Sequence, residues 1–120
     1  MIHEYQVVDE FGKESSVHAR VVDLRVSPGD TREMVRIYRG SVMPAARRQP
    51  GFRGALLLTD PETGIGISVT MWETEADREA GEASGFYKEQ IEKFSDFLTV
   101  TPVRKHYEVS VLEQVWELVK

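Results

Sequence analysis

The 25 residues from Gln49 to Glu73, QPGFRGALLLTDPETGIGISVTMWE, constrain the fold more than any other part of the chain. They read as a β-hairpin, with Asp60-Pro61-Glu62-Thr63-Gly64 as the turn between two apolar strands. Apolar residues occupy both parities: Phe52, Leu56 and Leu58 fall on one side, Ala55 and Leu57 on the other. Val17–Val26 repeats the pattern, with Val22, Leu24 and Val26 on one face and Val17, Ala19 and Val21 on the other. A sheet made of such strands needs cover on both faces.

The rest of the chain supplies cover for one. Ser27-Pro28-Gly29-Asp30 starts a helix that the spacing carries to about Arg48, capped by Asp30 with Glu33 or by Ser27 with Pro28 in the first turn. Val35, Tyr38, Val42 and Ala45 trace its buried stripe, flanked by Met34, Ile37 and Ala46. Pro44 removes a donor and should kink the helix or tighten its last turn. Thr74 with Asp77 signals a second start, TEADREAGEA reads as an exposed helix, and Ser84-Gly85 interrupts it. A further helix follows from Phe86 to Leu98, with Tyr87, Ile91, Phe94 and Leu98 at helical spacing. Val103–Leu112 alternates as a last strand. Residues 1–16 read as an N-terminal extension, an appended edge element or a mobile arm, in which Ile2, Tyr5, Val7 and Val8 suit a short strand and Asp9–Ser16 a loop, residues 17–112 as the domain, and residues 113–120 as a tail of open character.

The order is β-α-β-β-α-β, a ferredoxin-like α+β fold with a four-stranded antiparallel sheet and two helices on one face. Leaving about three to five apolar side chains of the other face in water forfeits roughly 1.5–3 kcal/mol each. That sum rivals the net stability of a domain. A second copy of the chain is the commonest remedy, so the expectation is a homodimer whose two sheets close face to face into a dimeric α/β barrel.

Composition narrows the function. The net charge of −5 argues against a nucleic-acid partner, which would need concentrated Lys and Arg. The basic cluster Arg47, Arg48 and Arg53 reads as a helix C-terminus matched to its dipole. No apolar run approaches membrane-spanning length and no signal peptide is recognisable, so the expectation is a cytoplasmic protein with no membrane partner. Cysteine is absent, and three widely spaced His residues offer no ligand pair, so no metal site is expected.

Several segments together resemble the antibiotic-biosynthesis-monooxygenase-like branch of the dimeric α/β-barrel superfamily. They are Pro28-Gly29, Met43-Pro44-Ala45, Gln49-Pro50-Gly51-Phe52-Arg53-Gly54 and Val69-Thr70-Met71-Trp72-Glu73-Thr74-Glu75. The resemblance spans about residues 17 to 112. It implies a cofactor-independent oxygenase acting on, or a barrel binding, a small aromatic or polyketide-type molecule, and it places Trp72 at the family's tryptophan. It also implies an asparagine that this sequence lacks, and a haem-ligating histidine where Gln90 and Ile91 stand. Neither haem nor another cofactor is therefore expected. A non-catalytic, ligand-binding or stress-associated homodimer is the alternative.

Trp72 shares the parity of Ser68 and Thr70, either as a cleft wall that stacks on a flat ligand or as a core aromatic. Phe86, Phe94 and Tyr107, with Tyr38, could line the same apolar cavity or simply fill the core. His106, beside Arg104 and Glu108, and Tyr38 are the candidates for handling a proton. His106 reads more readily as a solvated or interface histidine.

Overall fold

The computed structural model describes residues 2–5 and 17–115. Four strands form one sheet: β2 (Val17–Arg25), β3 (Phe52–Asp60), β4 (Ile65–Trp72) and β5 (Val103–Val109). Their spatial order is β3-β4-β2-β5 and every pairing is antiparallel. This is the split βαβ arrangement expected from the order of elements. A separate two-stranded ribbon pairs β1 (Ile2–Tyr5) with β6 (Leu112–Val115), Ile2 opposite Val115 and Tyr5 opposite Leu112. The extension thus contributes a strand, as its apolar pattern suggested. Val7, Val8 and the tail beyond Val115 lie outside the described residues.

Register fixes which side chains share a face. Trp72 lies opposite His18, Thr70 opposite Arg20, Ser68 opposite Val22 and Gly66 opposite Leu24. On β3 a bulge between Phe52 and Gly54 inserts one residue. Phe52 therefore lies opposite Trp72 and joins Ala55 and Leu57, contrary to the simple alternation that set it beside Leu56 and Leu58.

The helices cover the face of Val22, Leu24 and Leu57. Their core cluster joins those residues to Met34, Tyr38, Val42, Tyr87, Ile91 and Phe94. Past a 3-10 turn at Pro28–Asp30, the first helical stretch runs as α1 (Thr31–Ile37), a π turn (Tyr38–Val42) and α2 (Met43–Arg47). Neither Ser27 nor Asp30 caps through its side chain; Thr31 Oγ1 donates to the Pro28 carbonyl, and Glu33 pairs with Arg36.

The buried stripe is Met34, Tyr38, Val42 and Ala46, whereas Val35 and Ala45 are only half-buried. A regular α-helix drifts by about 40° at each four-residue step. The wider π turn takes part of that drift back and keeps the stripe on the sheet. Pro44 lies just beyond it, so the missing donor is accommodated by widening the turn rather than tightening it. Met34 reaches the sheet because Gly66 leaves a notch: a Cβ there would lie 2.7 Å from the Met34 sulfur.

Helix α3 (Glu75–Ala83) starts at Thr74, whose hydroxyl accepts from the Asp77 amide. Gly85 separates it from α4 (Phe86–Glu92). The α-helix ends at Glu92, short of the expected Leu98, and tight turns carry Phe94 and Leu98 into the core.

The opposite face carries Val69, Ile67, Leu56, Leu58, Val103 and Tyr107, placed by register. Leu58 is 55% exposed and Tyr107 53%, and Leu56 and Val103 are similarly open. Among the described residues, the core cluster takes nothing from this face.

Gly64 closes the hairpin at φ 81°, and the Val26 amide donates to its carbonyl at 2.9 Å. A Cβ there would lie 1.9 Å from the Val26 carbonyl oxygen. Gly64→Ala should therefore lower the unfolding free energy by at least about 2 kcal/mol, combining left-handed strain with backbone displacement. Urea denaturation checks this, and a loss below about 0.5 kcal/mol would contradict it.

Candidate functional site

Between the helices and the covered face lies a cavity of about 40 Å³. That is room for about three water molecules. Trp72, Thr70 and Ser68 from β4, Arg20, Val22 and Leu24 from β2, and Tyr38 and Val42 from the π turn form the inner walls. Phe86, Tyr87, Gln90, Ile91 and Phe94 close it from the α4 side.

Trp72 is 1% exposed and meets Phe52 edge to face, with ring centroids 5.5 Å apart. Its Nε1 donates to Thr70 Oγ1 at 3.0 Å, so the indole offers the cavity its ring and keeps its donor occupied. Tyr38 and Ser68 share a hydrogen bond of 2.9 Å, and the Tyr38 hydroxyl also donates weakly to the Leu56 carbonyl at 3.4 Å. Burial raises the Tyr38 hydroxyl above its ordinary value, with the Ser68 hydrogen bond pulling the other way. Burial likewise raises Tyr87. Both side chains therefore enter the cavity as neutral hydroxyls.

The feature that the sequence reading missed is Arg20. The residue is 3% exposed, and its guanidinium lies 5.3 Å from the Trp72 centroid and 4.9 Å from that of Tyr87. Its Nη1 donates to Glu82 Oε2 at 3.1 Å. The same carboxylate oxygen takes Arg78 Nη1 at 3.3 Å and contacts His106 Nε2 at 2.8 Å. Arg104 also approaches Tyr87, 4.9 Å from the ring centroid. Burial works to lower the Arg20 pKa, while the hydrogen bond and charge of Glu82 work to raise it; the net shift is downward. A guanidinium nonetheless remains a cation. For Glu82, burial alone would raise the carboxyl; hydrogen bonds from Arg20 and His106, then the charges of His106 and Arg104, outweigh it and hold the group below the usual carboxylate range. The signal was present in the sequence: Arg20 shares the parity of Val22 and Leu24, so a covered face had to take in a charge and supply its partner.

Of the residues singled out from sequence, Trp72, Tyr38, Phe86 and Phe94 come together around the cavity. Tyr107 does not: it lies opposite Ala19 on the other face of the sheet. His106 stands on the helix side opposite Arg20 but does not line the cavity, and its contact is Glu82 rather than the neighbouring Glu108. Among the described residues no cluster of His, Asp and Glu has metal-holding geometry, and no helix is long and apolar enough to cross a membrane.

No family model matches the sequence, and no curated protein matches it significantly. Solved structures do match the fold. A monooxygenase of Streptomyces coelicolor, crystallised with nanaomycin D, is 18% identical with a TM-score of 0.67, covering 93% of this chain and 100% of that one. A protein of unknown function from Nitrosomonas europaea is 18% identical, with a TM-score of 0.65 over 88% of this chain and 97% of that one. A cofactor-independent oxygenase of Streptomyces nogalater is 14% identical, with a TM-score of 0.59 over 78% and 93%. The fold is thus the one expected from the resemblance.

The depressed Glu82 carboxyl has a consequence for stability. Its stabilisation is complete above the ordinary value of 4.5 and is lost as pH falls through the lower folded value. Glu82→Gln should cost about 1–3 kcal/mol near neutrality. The gap between the two proteins in urea should close progressively below pH 4.5. A gap that stays constant into acid would contradict the account.

Proposed function

On a fold shared with monooxygenases, we propose that this chain binds a small planar aromatic molecule in the cleft beside Trp72 and oxygenates it without a cofactor. The observation that carries the reading is the cavity itself: aromatic walls from Trp72, Phe86, Tyr87 and Phe94, with the polar pair Tyr38–Ser68 among its lining. Aromatic faces select a flat ligand, and Tyr38 or Ser68 can donate to a ligand oxygen. Small-molecule sites usually measure about 300–1,000 Å³. Phe86 and Tyr87 are half-buried at the start of α4, directly after the left-handed Gly85 at φ 90°, and their outward movement makes the room.

The chemistry needs no external reductant when the substrate supplies the electrons. An activated methylene of a phenolic or quinol-type ring reacts with one dioxygen molecule to give a ketone carbonyl and one water. The carbon loses four electrons and both of its hydrogens. One oxygen atom enters the carbonyl, and the other leaves as water with the two protons. The reaction starts from the substrate anion. Tyr38 and Tyr87 stay protonated and Arg20 is a cation, so among the described residues no neutral-pH base lines the cavity. The substrate must then be acidic enough to ionise beside Arg20, inside walls that exclude water. His106 takes no part in this step.

That same lack of a base among the lining residues favours a second reading, a barrel that binds an aromatic ligand without turnover. Oxygen uptake with a panel of quinols and anthrone-like phenols separates the two. Catalysis predicts uptake above buffer that falls at least about 10-fold in Trp72→Phe. Thermal stabilisation by the same compounds without uptake assigns binding alone. Neither response would remove both.

The working unit in this reading is a homodimer. The uncovered face presents Leu56, Leu58, Val103 and Tyr107 half in water, and a two-fold copy buries the patch against itself. Light scattering on the native chain at micromolar concentration should give twice the 13.7 kDa chain mass, and Leu58→Asp should shift it towards the monomer. A native monomer would refute the pairing.

A further inference from the structure

We propose that Arg20 makes the cleft selective for an aromatic acid, whose carboxylate takes the place of Glu82 as the partner of the buried guanidinium. This rests on the cleft being a ligand site, and it adds what class of ligand enters. Arg20 lines the cavity and is almost wholly enclosed, lying close to the Trp72 and Tyr87 rings. A buried cation must keep an anionic partner, because stripping one from such a pair is far costlier than exchanging it. Among the described residues that partner is one oxygen of Glu82, reached through Nη1. A guanidinium has five donors in a planar fork and is suited to two parallel bonds with a carboxylate.

Glu82 can be released because it is not held by Arg20 alone. Its Oε2 also accepts from Arg78 Nη1 at 3.3 Å and meets His106 Nε2 at 2.8 Å. When Arg20 turns to a ligand, both contacts persist and the glutamate keeps cationic company. The exchange leaves neither charge stranded. The aromatic ring of the ligand lies along Trp72 and Phe94, and its acid group reaches Arg20 in the same enclosure. A neutral ligand of the same shape leaves the Arg20–Glu82 pair in place and gains only the ring contacts.

Calorimetric titration at neutral pH with benzoate and 2-naphthoate, each beside its methyl ester, tests this on the full chain. The native protein should bind 2-naphthoate at least about 10-fold more tightly than its ester, with benzoate weaker but showing the same preference. Arg20→Gln should bring the acid down to the ester's affinity. Glu82→Gln, by weakening the competitor, should strengthen acid binding several-fold and leave the ester where it was. Equal affinity for acid and ester in the native protein overturns the role of Arg20 while the cleft stands as a ligand site. Binding of neither overturns the cleft reading and this inference together. Should Arg20→Gln fail to fold, the native acid-to-ester ratio and the Glu82→Gln shift decide the matter.

Discussion

A sheet whose strands are apolar on both faces can be hidden on only one side by the helices that connect those strands. Everything else in this molecule follows from how that limit is met. On the covered side, Val22, Leu24 and Leu57 meet Met34, Tyr38, Val42 and Phe94 and form the core. Contact there is close because Gly66 leaves a notch for Met34 and because the π turn holds a four-residue stripe against the sheet. Toward the other end of the same layer a cavity remains beside Trp72 and Arg20. The uncovered side keeps Leu58 and Tyr107 half in solvent, the kind of surface that a second protein copy removes from water.

The buried arginine sets the character of the cavity. A cation inside an apolar layer costs several kcal/mol unless it is paired and hydrogen-bonded. Glu82 provides the pairing, and Trp72 and Tyr87 provide ring contacts. One carboxylate shared among Arg20, Arg78 and His106 links β2, α3 and β5 through a single oxygen atom. The link fixes α3 against the sheet, and with it the approach of α4, whose Phe86 and Tyr87 close the cavity. Structural support and ligand access therefore draw on the same few atoms.

Much of this was legible in advance. The short two-sided apolar runs of Val17–Val26 and of the Gln49–Glu73 hairpin, bounded by turn residues, pointed to strands, and the Thr74–Asp77 cap began α3 where expected. Other features were hidden for identifiable reasons. The bulge at Phe52 inverts parity, and a single extra residue leaves no mark in the apolar pattern. The stripe of the first helix moved to Met34, Tyr38, Val42 and Ala46 because its π turn changes the angular step, which a fixed helical period cannot anticipate. Tyr107 looked like a cavity residue only because aromatic character says nothing about which face of a strand is covered.

By itself, the sequence determined the order of elements, the two-sided apolar character of the strands and the residue types available for chemistry, because these depend on local periodicity and composition. Only the tertiary structure decided which face the helices took, and so which side chains meet. Glu82 lies 62 residues from Arg20 and 24 from His106, and nothing local joins them. Their meeting follows from strand register and helix packing, since a charge drawn into a covered layer is tolerated only where the fold delivers its counter-charge.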